Sequence, residues 1–164
     1  KVARYHNIYG PNGTYDGGRE KAPAALCRKV ISANQKNSDT IDVWGDGKQT
    51  RSFLFIDDCV EATLQFFNSD HHGPINIGSE EKVSINEMIE KIEKISNKKF
   101  KKNYQLDKPK GVRGRSSNND YVTKKTGWKS ENTLKEGLTK TYKWIEEQIN
   151  SGSNLDKFSR NTIE

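Results

Sequence analysis

Apolar positions recur along this chain in two rhythms, one of period two and one near 3.6 residues. Residues 2–5 (VARY) read as a short strand, closed by the turn formers of GPNGT and DGG. A helix follows from Ala22, where Pro23 falls in the first turn and loses nothing by lacking an N–H; Ala25, Leu26, Lys29, Val30 and Ala33 recur at helical spacing. Ile41 and Val43 alternate, Gly45-Asp46-Gly47 turns the chain, and residues 50–56 alternate again with Phe53 and Phe55 on one face, which predicts a hairpin. Asp57 or Asp58 is placed to cap the next helix, whose Val60, Leu64 and Phe67 form an apolar stripe. Residues 74–78 (PINIG) suit a short buried strand. The clearest helix start is Ser84 with Glu87, a capping box, with Val83 and Met88 as its hydrophobic staple and Ile89, Ile92 and Ile95 continuing the stripe. A basic strand-like segment near 100–104 leads to the polar loop GVRGRSSNND. A second capping box, Thr133 with Glu136, opens a last helix that keeps Leu134, Leu138, Tyr142, Ile145 and Ile149 on one face. From Ser151 the chain is polar and predicted to be disordered.

These elements predict a mixed α/β lobe over residues 1–150 and a tail over 151–164. No internal repeat is visible. No Gly-x-Gly-x-x-Gly follows a strand, so no dinucleotide-binding half is expected within the chain. Only 31% of the 164 residues are hydrophobic, which favours a lobe that leans on a partner over a self-sufficient enzyme, and the opening at Lys1 predicts a piece of a longer protein. The net charge of +6, from 28 basic and 22 acidic residues, fits an anionic ligand or simply lysines on solvated helix faces; composition does not choose. Cys27 and Cys59 form no Cys-x-x-Cys pair, and His6, His71 and His72 lack metal spacing, so reduced buried thiols and no metal are expected. No apolar run approaches a membrane span and no signal peptide opens the chain, and a cytoplasmic location is expected.

Several polar residues stand where chemistry is placed. Asn7 ends a strand before a turn, a position that meets ligands in open α/β folds and equally often satisfies loop backbone. Gly17-Gly18-Arg19-Glu20-Lys21 is a pliable charged loop at a helix start, where free N–H groups and a lysine suit a phosphate or a developing oxyanion; a solvated loop is the plainer alternative. Lys29 lies two turns along the same helix. In Gln49-Thr50-Arg51 the arginine fork could clamp a diphosphate or pair structurally. Arg113 and Arg115 sit in a Gly-spaced loop that could supply a second clamp. Trp44 could stack on a base or pack as core.

Four ordered segments, RYHNIYGP (4–11), GGREKAPAALCRK (17–29), WGDGKQTRSFLFIDD (44–58) and GVRGRSSNN (111–119), resemble the C-terminal half of extended short-chain dehydrogenases/reductases that act on sugar nucleotides. GGREKAPAA with WGDGKQTRSF and GVRGR is similar to the GDP-mannose 3,5-epimerase family in particular, and the likeness runs from Lys1 to about Ile149. The resemblance implies an α/β C-terminal substrate-binding lobe with its Rossmann half missing, residues 1–10 being the last part of the Rossmann-side core. It implies Lys21 as the catalytic acid, and substrate contacts from Asn7, Glu20, Lys21, Ala22, Lys29, Gln49, Thr50, Arg51 and Arg115. It implies conversion of GDP-mannose to GDP-L-galactose through transient oxidation at C4 by NAD, which is held outside this chain together with the family's Tyr-x-x-x-Lys and cysteine base; Cys27 lies outside the matching motif. It further implies a homodimeric parent and an isolated chain that is inactive; basic residues scattered among helices predict no nucleic-acid partner, and the lack of a long apolar run predicts no membrane partner. Another nucleotide-sugar epimerase, dehydratase or decarboxylase, or a non-catalytic basic binding module, remain the alternatives.

Overall fold

The computed structural model describes residues 1–109 and 111–152; of the tail expected at 151–164, residues 153–164 lie outside them. In chain order the elements are β1 (Val2–Tyr5), β2 (Ile8–Tyr9), α1 (Ala22–Gln35), β3 (Thr40–Trp44), β4 (Thr50–Ser52), β5 (Leu54–Phe55), α2 (Ile56–Asn68), β6 (Pro74–Ile77), β7 (Lys82–Ser84), α3 (Ile85–Ser96), β8 (Lys101–Gln105), β9 (Gly114–Arg115), α4 (Asp120–Thr126) and α5 (Leu134–Asn150). The class is mixed α/β. Its sheets are small: β1 pairs with β6, β2 with β5 and β3 with β8, all parallel, while β4 lies between antiparallel β7 and parallel β9.

Both capping boxes form. The Glu87 N–H donates to Ser84 Oγ at 3.1 Å and the Ser84 N–H to Glu87 Oε2 at 2.7 Å; Thr133 and Glu136 repeat the exchange at 3.3 and 2.9 Å. Each box satisfies two of the donors that a helix start otherwise leaves orphaned. The helices they open, α3 and α5, pack with α1 around one cluster holding Leu26, Val30, Ile31, Met88, Ile89, Ile92, Leu138, Tyr142 and Ile145. A second cluster lies under the β1–β6 pair, where Leu54, Cys59, Ala62, Phe66, Ile75, Ile77, Val122 and Trp128 join α2 and α4 to the strands. Each fully buried branched side chain here contributes about 1.5–3 kcal/mol relative to exposure. Both cysteines are buried and free.

Five local expectations need correction. The hairpin does not form: β3 takes β8 as its partner, with Thr40 opposite Lys101 and Trp44 opposite Gln105. Its turn is instead stapled to α3, since Asn86 donates its backbone N–H to Gly47 O at 3.0 Å and its Nδ2 to Asp46 O at 3.3 Å. The strand expected at 50–56 breaks into β4 and β5, because Leu54 pairs with Ile8 while Ile56 already begins α2. The stripe of Val60, Leu64 and Phe67 faces outward, 51%, 52% and 74% exposed, and α2 buries Cys59, Ala62 and Phe66 instead. Finally, Asp58 does not cap α2; it accepts hydrogen bonds from the loop that precedes α5. The loop expected at GVRGRSSNND holds β9 and runs into α4, a helix that the sequence reading lacks.

Gly137 in α5 shows how packing overrides propensity. An added Cβ would lie 2.2 Å from Tyr9 Oη and 2.8 Å from Phe55 Cδ2. Tyr9 cannot retreat, being buried and edge-on to Phe53 and Phe55 at 6.3 and 5.7 Å. Alanine gains about 1 kcal/mol in helix propensity, but overpacking costs about 1–3 kcal/mol. Gly137→Ala is therefore expected to lower stability by up to about 2 kcal/mol net in urea denaturation; a rise in stability would show the opposite balance.

Candidate functional site

A cavity of about 400 Å³ opens where α1, the turn before it, β3 and β4 meet. Strand alternation selects the β4 contribution. Gln49, Arg51 and Phe53 line the cavity, and the intervening Thr50 and Ser52 do not. Helix periodicity selects the α1 face in the same way: Ala22, Ala25, Leu26, Arg28 and Lys29 line it, preceded by Glu20 and Lys21. Val43 and Trp44 come from β3, Ile85 from the start of α3, and Pro109 from the loop beyond β8.

Asn7 reaches this cavity from the turn between β1 and β2. Its φ of 45° is left-handed, a conformation Asn tolerates far better than most residues. Its Nδ2 donates to Ser52 O at 3.1 Å, so one end of the amide is spent on joining the turn to β4 while the residue still lines the cavity. Glu20 is almost enclosed, its Oε2 accepting from the Gly18 N–H at 2.7 Å and its Oε1 standing 3.5 Å from Arg28 Nη2. Lys21, at the N-cap position of α1, is extended, exposed and makes no side-chain capping bond. Lys29 Nζ donates to Asp42 O at 2.9 Å and stands 5.8 Å from the centroid of the Trp44 ring. Burial, and then the neighbouring Arg28 charge, push the Lys29 ammonium down from its ordinary pKa. Gln49 Nε2 donates to Trp44 O at 3.2 Å, while its buried Oε1 finds no partner among the described residues.

Arg51 turns its Nη1 back to Thr50 O at 2.7 Å. Gly111, at φ 64°, lies close over the same guanidinium: a Cβ there would stand 3.2 Å from Arg51 Nη2. Two of the expected site residues are not gathered. Thr50 faces away from the cavity, with its Oγ1 3.0 Å from where a Cβ on Gly114 would stand. Arg115 does not line the cavity; it is exposed on β9 as the register partner of Arg51. There it lies near His6, whose pKa burial lowers first and the Arg115 charge lowers further.

The cavity therefore brings together Asn7, Glu20, Lys21, Ala22, Lys29, Gln49 and Arg51 from three separate segments. Sequence reasoning passed over Arg28, although its position seven residues after Lys21 puts both on one helix face. Cations and the apolar Leu26, Val43, Trp44 and Phe53 line the same cavity, which suits a ligand with an anionic part and a flat apolar part.

Residues 1–78 match the model of the NAD dependent epimerase/dehydratase family. The chain is 52% identical over 149 residues to GDP-mannose 3,5-epimerase of Arabidopsis thaliana, covering 91% of this chain and 38% of that protein. It is 32% identical over 146 residues to probable GDP-L-fucose synthase 1 of Oryza sativa subsp. japonica, covering 87% and 44%. The crystal structure of UDP-glucuronic acid 4-epimerase from Bacillus cereus in complex with UDP-glucuronic acid and NAD superposes with a TM-score of 0.73 at 28% identity, over 89% of this chain and 45% of that one. The chain thus spans less than half the length of each of these relatives.

Proposed function

We propose that this chain, which belongs to the NAD dependent epimerase/dehydratase family, is the nucleotide-sugar-binding part of a GDP-mannose 3,5-epimerase. The observation that carries the reading is the cavity that gathers Asn7, Lys21, Lys29 and Arg51 beside Trp44, in a chain 52% identical to an enzyme of that name. In this reading Arg51 clamps the diphosphate, as a planar fork does better than an ammonium. Asn7 contacts the ligand beside the diphosphate, and Gln49 and Lys29 meet the nucleotide. Lys21 delivers a proton to the sugar ring. Thr50 and Arg115 lie outside the cavity; Arg115 could reach a ligand only from its rim.

The residues present do not fit NAD. No strand among the described residues leads through Gly-x-Gly-x-x-Gly into a helix, so no step is assigned to that cofactor here. The transient oxidation at C4 belongs to a dinucleotide-binding half joined to residues 1–150. Two features support such a half. Among the described residues β1 pairs on one side only, and two parallel strands are too few for a stable open sheet. On α2, which meets β1 through Tyr5 Oη and Thr63 Oγ1 at 3.1 Å, Val60, Leu64 and Phe67 are exposed. A cytoplasmic homodimer completes the reading. No helix of the described residues is long and apolar enough to cross a membrane.

Titration calorimetry of the chain tests this. GDP-mannose is expected to bind about tenfold or more tightly than UDP-glucose, a difference of about 1.4 kcal/mol, and the chain with NAD is expected to yield no epimer. Equal affinities, or tighter UDP-glucose, would move the assignment to another nucleotide-sugar enzyme of the family. Turnover by the chain alone would overturn the division of labour.

A further inference from the structure

We propose that Arg28 is a positioning residue that holds Lys21 at the cleft by tying the turn at residues 15–20 down onto α1; the role rests on the reading of Lys21 as proton donor. Arg28 lies in the second turn of α1 and reaches back to both ends of that turn. Its Nε donates to Tyr15 O at 2.9 Å, and its Nη2 stands 3.4 Å from Asp16 Oδ1 and 3.5 Å from Glu20 Oε1. The same two carboxylates hold the glycines between them: Asp16 Oδ1 accepts from the Gly17 N–H at 2.8 Å and Glu20 Oε2 from the Gly18 N–H at 2.7 Å. One fork therefore fixes two acceptors that in turn fix the backbone.

The turn needs this fixing. Gly17 and Gly18 both have left-handed φ, 85° and 86°, and paired glycines lose more backbone freedom on ordering than any other residues. Packing does not supply the order, since nothing lies within 4 Å of a Cβ placed on Gly18. Upstream, Tyr15 is anchored, buried and edge-on to Trp144 at 5.5 Å. Downstream, Lys21 follows Glu20 directly and has no capping bond of its own, so the turn before it sets where its amine emerges. An Arg28 side chain only 25% exposed, with three acceptors on one planar group, is better placed than an isolated surface pair. Lysine cannot span those acceptors.

Amide exchange on the 164-residue chain reads the tie without needing activity. Arg28→Ala is expected to speed exchange at Gly17 and Gly18 about tenfold or more, leaving Val30 and Ile31 in α1 as protected as before; Arg28→Lys falls between. Unchanged exchange at the glycines overturns the proposal, and so does α1 opening in step with them, because the role is then plain helix stability. The second arm joins the N-terminal part of the Arabidopsis relative ahead of Lys1. There Arg28→Ala is expected to lower kcat on GDP-mannose by about tenfold to a hundredfold, with KM moving less than about threefold and Arg28→Lys rescuing part of kcat. Parallel changes in kcat and KM, or none, overturn it. A rebuilt enzyme inert before any substitution counts against the proposed function, and the exchange arm then decides on Arg28 alone.

Discussion

Lys21→Met in the rebuilt enzyme is expected to lower kcat for GDP-mannose epimerisation by about 10²–10⁴-fold, the range that a positioned proton donor contributes. Methionine keeps the unbranched apolar stem as far as Cε and removes the ammonium, so it tests the proton and not the packing. Lys21 is exposed at the mouth of the cavity and makes no capping bond, so α1 should keep its stability. Ground-state affinity should fall by less, because Arg51, Lys29 and Asn7 line the same cavity. Steady-state kinetics and calorimetry separate the two effects: a loss confined to kcat supports proton delivery, whereas a loss confined to KM would reduce Lys21 to an anion-binding residue. A kcat within threefold of the starting enzyme would sink the assignment. If Arg28 works through Lys21, then Arg28→Ala added to Lys21→Met should cost little more, since residues acting as one unit are not additive.

How much of this was legible in the sequence depends on how local the cause is. The capping boxes at Ser84 and Thr133 were readable because their signal is four residues long and the helices behind them carry continuous apolar faces. The partners of β3 and β4 were not. Gly45-Asp46-Gly47 has the composition of a hairpin turn, but β8 begins 57 residues after Trp44, and β7 and β9 begin 30 and 62 residues after Ser52, so no local pattern specifies them. The stripe on α2 failed for a different reason. Val60, Leu64 and Phe67 are apolar at helical spacing, and periodicity says that a face seeks cover without saying whether this chain supplies it. In the site, the alternation Gln49, Arg51, Phe53 was implicit in the sequence and already set Thr50 apart from its neighbours. Arg28 was visible as a helix position, but its partners Tyr15, Asp16 and Glu20 depend on a two-glycine turn whose path no periodicity encodes.

The largest expected loss of stability comes from Asp58→Ala. Asp58 is 5% exposed in the first turn of α2, where the helix dipole already favours a negative charge. Its Oδ2 accepts from Ser130 Oγ at 2.7 Å and the Asn132 N–H at 3.1 Å; its Oδ1 accepts from Asn132 Nδ2 at 2.9 Å and the Glu131 N–H at 3.3 Å. Those donors belong to the loop that delivers the Thr133 capping box and α5, so one carboxylate on the edge of the second cluster fixes the entry of a helix that completes the first. Alanine strands all four donors at once. Hydrogen bonds to a charged group are worth about 1.5–3 kcal/mol each, and these donors are only part-buried and can recover water, so a net loss of about 3–4 kcal/mol is expected. Against a whole-domain stability of about 5–15 kcal/mol, that brings the chain close to its unfolding threshold. Asp58→Asn keeps one acceptor oxygen and should lose less. Urea denaturation gives the difference directly, and a loss under about 1 kcal/mol would mean that the bond the Leu134 N–H donates to Glu81 Oε2, at 2.8 Å, suffices to seat α5. The cleft is not lined by Asp58, so the folded fraction of the variant should bind GDP-mannose within about threefold of the parent chain.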